Sequence, residues 1–143
     1  MSKFPYTFLF LLASIDIGFA HYDKIEPVVD YREEFVIERL TVYNPTSGQT
    51  DSTPLITASN AVIDTVKLRK GKLRWLALSR DFLTRWGGKI NYGDTIEILS
   101  DDSDIKGLWI VHDTMNKRYK KSGDILTYNR KKGLWKNIKF KKI

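Results

Sequence analysis

The chain has 143 residues, 42% hydrophobic and 13% aromatic, which is enough to close one core, short for two, and too aromatic for a disordered chain. It has no cysteine and two histidines, His21 and His112, which excludes a disulfide framework, a thiolate nucleophile and a Cys-ligated or His-rich metal site, so no cofactor is expected. The net charge of +7 is uneven: residues 21–105 carry 11 basic and 14 acidic side chains, and residues 106–143 carry 12 basic and 2 acidic, a distribution that suits nucleic acid, anionic lipid or an anionic wall polymer.

Residues 1–20 hold one Lys, run apolar from Tyr6 to Ile15, and end Gly18-Phe19-Ala20. Small residues at −3 and −1 fit signal-peptide cleavage after Ala20, and the run is too short to span a bilayer. An exported protein of the periplasm or cell envelope is expected, with no transmembrane segment in the mature chain. The other reading of this segment is an apolar N-terminal strand or helix of a cytosolic protein. Residues 21–34 are polar and acidic, with Pro27, and read as an arm.

The β-rich run Phe35–Tyr43 predicts the first strand. Residues 44–54, with Pro45, Gly48 and Pro54, predict a long loop. Short apolar or alternating runs predict further strands over 74–78, 95–99, 107–112, 124–128 and 136–143. Ser79 followed by residues 80–86 and Gly87-Gly88 predicts a capped short helix. Six short strands with turn signals predict a mainly β small barrel or sandwich. The lysines alternating on the last strand read as a solvated edge that discourages aggregation, so nucleic acid is not an expected partner. A monomer is expected.

Few groups here can do chemistry. The phosphate-loop, Gly-x-Ser-x-Gly and His-Glu-x-x-His patterns are all missing. A Ser-His-Asp triad would have to use His112, whose neighbour Asp113 should point to the opposite face of a regular strand. Three aspartates stand out: Asp51 in Gln49-Thr50-Asp51, Asp113 after an apolar strand, and Asp124 opening the next one. A loop can bring Asp113 and Asp124 together. Two carboxylates in one partly buried site cannot both ionise cheaply, so one becomes a proton donor near neutral pH. The plainer alternative is a pair of turn-capping carboxylates hydrogen-bonded to backbone.

Thr41-Val-Tyr-Asn-Pro45, Gln49-Thr-Asp51 and Pro54-Leu-Ile-Thr-Ala-Ser59, followed by Leu76-Ala-Leu-Ser79, Asn91-Tyr-Gly-Asp-Thr95, His112-Asp113-Thr114 and Asp124, resemble in order the motifs of the 3D (three-aspartate) domain. The match runs from about Leu40 to Tyr128. The resemblance implies a six-stranded double-psi β-barrel over residues 35–143 with one or two short helices. It also implies likeness to the barrel domain of membrane-bound lytic transglycosylase A and to small wall-lytic proteins. Those enzymes cleave the bond between N-acetylmuramic acid and N-acetylglucosamine and leave a 1,6-anhydro ring, so peptidoglycan glycan strands are the implied partner. Carried over by position, Asp124 is the acid/base, with Asp113 and Asp51 in the same site. Thr50 orients the acid or binds sugar hydroxyls, and Tyr43 or Trp86 offers an exposed ring to a sugar face. Thr57, His112, Thr114, Asn116 and Lys117 are the remaining expected glycan contacts, while Trp75 and Trp109 are expected to pack in the core. Met115 and Asn116 stand where the family usually has two glycines, and Gly123 stands where it commonly has an apolar residue. Some related double-psi barrels bind polysaccharide without cleaving it, so a non-catalytic glycan-binding barrel and a phage-encoded wall-lytic component are the other readings.

Overall fold

The computed structural model describes residue 18 and residues 28–46, 48–49, 52–130 and 132–143. The predicted leader (Gly18 apart) and residues 21–27 lie outside the described residues, as do Thr50 and Asp51. Residues 31–143 form one compact unit.

Six strands close into a mixed barrel: β1 (Glu34–Tyr43), β2 (Trp75–Leu78), β3 (Thr95–Leu99), β4 (Gly107–Thr114), β5 (Ser122–Leu126) and β6 (Leu134–Lys142). Their order around the barrel is β1-β5-β2-β4-β3-β6. The β1–β5 and β2–β4 pairs are parallel; the other four are antiparallel. Advancing every strand by three places maps each pairing onto a pairing of the same sense. The barrel is thus two interlocked three-stranded halves, a connectivity compatible with a double-psi barrel. One helix, α1 (Thr65–Arg69), is capped by Asp64, whose carboxylate accepts from the backbone N–H groups of Val66 and Lys67.

The predicted helix over 80–86 is instead two 3₁₀ turns, Arg80–Phe82 and Thr84–Trp86. Leu83 between them is extended at φ −91°, ψ 138° and bridges to Ile90. That geometry buries Leu83 and Phe82 in the core, an outcome that a continuous helix would not give both residues. Gly87 ends the second turn at φ +90°, a left-handed value that favours glycine.

The core follows from alternation. Leu76 and Leu78, Ile96 and Ile98, Trp109 and Val111, and Ile125 point inward together with Ile37, Leu40 and Phe140. Phe140 stacks on Phe35 at 5.1 Å and meets Phe82 edge-on at 5.5 Å. Trp109 is buried as expected, and its indole N–H donates to the carbonyl of Ile105. A second apolar cluster lies on the outer face: Tyr43, Ala77 and Leu126 from β1, β2 and β5, covered by Ile63 and Leu68, with Trp75 and Met115 packed beside them. The segment after the predicted loop therefore folds over one strip of the barrel's exterior.

Two irregularities decide what that strip presents. In β1, Ile37 and Leu40 are both fully buried, a spacing of three that regular alternation forbids. The strand changes phase at Glu38-Arg39, where the N–H of Glu38 turns to the carbonyl of Lys121. Beyond that point Thr41 and Tyr43 face outward. In the β2–β4 ladder, Leu76 pairs with Val111 but Ala77 pairs with Asp113, leaving His112 as an extra residue. This bulge turns Asp113 to the outer face, where a regular strand would have sent it inward.

Candidate functional site

The outer strip of β1, β5, β2 and β4 gathers the titratable groups. Thr41 is the register partner of Asp124, and Ala77 is the partner of both Asp124 and Asp113. The two acids thus flank one alanine on neighbouring strands, each about 4.8 Å from the strand between them. Ala77 itself is buried under the outer apolar cluster.

Asp124 is half-buried. The Thr41 hydroxyl donates to its Oδ1 at 2.6 Å. Burial pushes its proton affinity above the ordinary aspartate range. Thr41 and the charge of Arg39 oppose that push, and the charge of Asp113 adds to it. Asp113 is gripped differently. Its Oδ1 accepts from the backbone N–H groups of Ala58 at 3.0 Å and Thr114 at 2.9 Å. Its Oδ2 accepts from the Tyr43 hydroxyl at 3.2 Å. At least three donors thus converge on the Asp113 carboxyl, while a single hydroxyl meets Asp124.

Tyr43 is not the exposed platform predicted from the sequence. Its ring is 6% exposed, inside the outer apolar cluster, and cannot lie against a sugar face. The covering segment is the cause: the β1 phase change turns residue 43 outward, and Ile63 and Leu68 bury it there. Burial, with the neighbouring charges of Asp113 and Asp124, pushes its phenol well above the ordinary range, so the hydroxyl stays a donor to Asp113. Trp86 is exposed, with the guanidinium groups of Arg80 and Arg85 at 4.8 and 5.2 Å from its ring.

His112 and Asp113 do not face opposite ways as a regular strand requires, because of the bulge. His112 packs on Trp75 at 4.3 Å between ring centroids and pairs through Nδ1 with Ser59 Oγ at 2.9 Å. The N–H of Ser59 donates to the carbonyl of His112, so Ala58 and Ser59 pin the covering segment to the end of β4. Burial lowers the proton affinity of the imidazole, and Asp113 opposes this weakly. Thr57 is buried and pairs with Ser59, which makes it a part of this clamp. Thr114 donates to the carbonyl of Leu78. Asn116 and Lys117 are exposed on the β4–β5 connection beyond it.

Beside Asp124 is a cavity of about 60 Å³ lined by Arg39, Thr41, Met115, Tyr119 and Ser122. It has room for a few waters and not for a sugar ring. Met115 supplies one wall. A larger cavity of about 400 Å³ lies at Phe35, Phe82, Asp81 and Lys121. Its lysines are paired, Lys121 with Glu38 and Lys89 with Glu33, while Asp81 accepts the backbone N–H of Lys121 through Oδ2 and keeps Oδ1 buried with no hydrogen-bond partner among the described residues. Volume alone therefore does not mark the site; the pairing of acids does. Among the described residues no cluster of side chains is arranged to hold a metal ion, and no helix is long and apolar enough to cross a membrane. Thr41, Ala58 and Arg39 were not singled out as site residues by the sequence, since a strand threonine, a loop alanine and a surface arginine carry no signal until the register is known. The chain matches no family model and no curated protein.

Proposed function

We propose that the chain is a 3D-type double-psi barrel and a peptidoglycan lytic transglycosylase, with Asp124 as its single acid/base. The observation that carries this reading is the half-buried Asp124 carboxyl, whose proton affinity burial raises, on the same outer strip as Asp113.

The chemistry needs one proton carrier. Protonated Asp124 donates to the glycosidic oxygen as the C1–O bond breaks. The carboxylate so formed accepts the proton of the muramyl 6-hydroxyl, whose oxygen closes on C1. One C–O bond breaks, one forms, and no water is consumed. Ordinary retaining hydrolysis instead needs a second carboxylate as nucleophile. The Thr41 hydroxyl, already on Oδ1, supports the charge that appears on Asp124 mid-reaction. Asp113, fixed by Tyr43, Ala58 and Thr114, keeps Asp124 protonated beforehand and stabilises positive charge at C1. Asp51 and Thr50 belong to this site by the resemblance alone. The glycan lies across the open outer face, and only the scissile oxygen reaches the acid, since the cavity there is too small for a ring.

The test is to digest purified sacculi with the protein and identify the soluble products by mass spectrometry. Anhydro-muropeptides, lighter than hydrolysis products by one water, are the expected result. Reducing-end muropeptides would instead make the protein a hydrolase. Binding to sacculi with no soluble product, under conditions where a control lytic enzyme works, would leave a glycan-binding barrel, a reading that the narrow cavity favours.

A further inference from the structure

The cavity beside Asp124 has a cationic mouth. Arg39 lines it and is exposed two residues before Thr41 on β1. Tyr119 lines it from the β4–β5 connection. The Tyr119 hydroxyl accepts from Arg118 Nη2 at 2.8 Å, and that guanidinium sits 4.9 Å from the ring centroid. Arg118 is thereby held at the same opening, with Lys117 and Lys120 exposed on either side of the pair. Among the described residues none of these four cations is in an ion pair. Other cations of the basic third do have acids: Lys121 has Glu38, Lys139 has Glu34, and Lys142 has Asp94. Like charges gathered without counterions repel one another. Nothing in the packing of the barrel calls for the concentration at this mouth.

We infer that Arg39 and Arg118 bind a carboxylate of the substrate, so that the site takes glycan strands with their muramyl peptide stems intact over strands stripped of them. This rests on the glycan reading above. A planar guanidinium matches a carboxylate with two parallel donors. The stems carry several carboxylates each and are joined as amides to the lactyl group of the sugar whose C1 is cleaved, so the lactyl carboxylate is masked while the stem is in place. A second consequence concerns the acid. Arg39 pulls down the proton affinity of Asp124, against the pull upward from burial and Asp113. A stem carboxylate on Arg39 cancels that pull, so the acid is more fully protonated when the matching substrate is in place.

The test uses the full chain carrying Asp124→Asn, so that binding is scored without turnover. Its affinity is measured by fluorescence anisotropy for labelled glycan strands of one length, with stems intact, or with stems removed by an amidase and the lactyl carboxylates so exposed capped as methylamides. At low salt a preference of roughly tenfold or more for stem-bearing strands is expected, from two charge-assisted contacts. The further changes Arg39→Gln and Arg118→Gln should abolish that preference, read as the ratio of the two affinities. Lys106→Gln with Lys136→Gln removes equal charge elsewhere and should keep it. Equal affinity for both strands before those changes, or a preference that survives them with the fold intact, overturns the inference. A stem preference in a protein that yields no anhydro product would keep this inference and remove the lytic one, so the two fail separately.

Discussion

Asp124→Asn is expected to lower the yield of anhydro-muropeptides by roughly 10²–10⁴-fold, the contribution of a well-placed general acid, and at the same time to raise the melting temperature at neutral pH. Both effects have one origin. Asn carries no acidic proton, so the leaving oxygen departs unassisted. Its Oδ1 still accepts from the Thr41 hydroxyl, so the bond seen at 2.6 Å is retained and the barrel keeps its shape. The gain in stability follows from the sign of the pKa shift. A carboxyl that holds its proton more tightly in the folded state imposes no cost below its unfolded value of about 3.9. The cost grows as pH rises through that value and is complete above the folded one. The variant should therefore be more stable than the parent at pH 7, and the difference should vanish near pH 3. Thermal scans across that range, beside product analysis, check both halves. A variant that still releases anhydro products shows that another group is the acid. A variant less stable than the parent at pH 7 shows that the buried carboxylate carried no penalty.

The second large effect concerns the glycine that precedes the acid. A Cβ added at Gly123 would lie 3.0 Å from Leu40 Cδ1 and 3.3 Å from Ile37 Cδ1. Both side chains are fully buried, and Leu40 is the register partner of Gly123 across β1–β5. The larger residue on β1 has taken the volume that an apolar residue at 123 would fill. Gly123→Val should cost about 2 kcal/mol from overpacking, and Leu40→Ala about 3 kcal/mol from the transfer and cavity terms. Together they should cost less than the sum by about 1 kcal/mol or more, because the new methyls enter the space that the leucine left. Denaturant unfolding of the four proteins measures the coupling. Simple additivity would mean that the two positions do not share that space. Thr41 and Asp124 are the next pair along the same ladder and face outward, so the repacked double variant should keep its site chemistry.

Much of the fold was legible because short apolar runs between turn signals are what a barrel strand needs. The runs at 95–99 and 107–112 reappear as β3 and most of β4. The errors come from places where tertiary contacts overrode local pattern. Residues 80–86 carry helical signals, but burying both Phe82 and Leu83 required an extended residue in the middle. The helix α1 was missed although Asp64 and Gly71 bracket it, since five residues are too few to show a helical period. Tyr43 looked like a surface ring because its covering by Ile63 and Leu68 cannot be read from local pattern. The bulge at His112 is equally silent in the sequence, yet it brings Asp113 to the face of Asp124. The acids themselves were legible by type and order; Thr41, which donates to one of them, and the Ala58 N–H, which donates to the other, became visible only with the strand register.

The central physical claim is that the Asp124 carboxyl holds its proton beyond the ordinary aspartate range because it is buried beside Asp113. Carbon-13 NMR of the Asp side-chain carboxyls, assigned by Asp124→Asn and followed across pH, reads this directly. The account predicts a midpoint for Asp124 above about 3.9, moving down in Asp113→Asn as a neighbouring negative charge is lost, and up in Thr41→Val as the hydroxyl that stabilises the carboxylate is lost. A midpoint at or below the ordinary value, unmoved by either change, would contradict it.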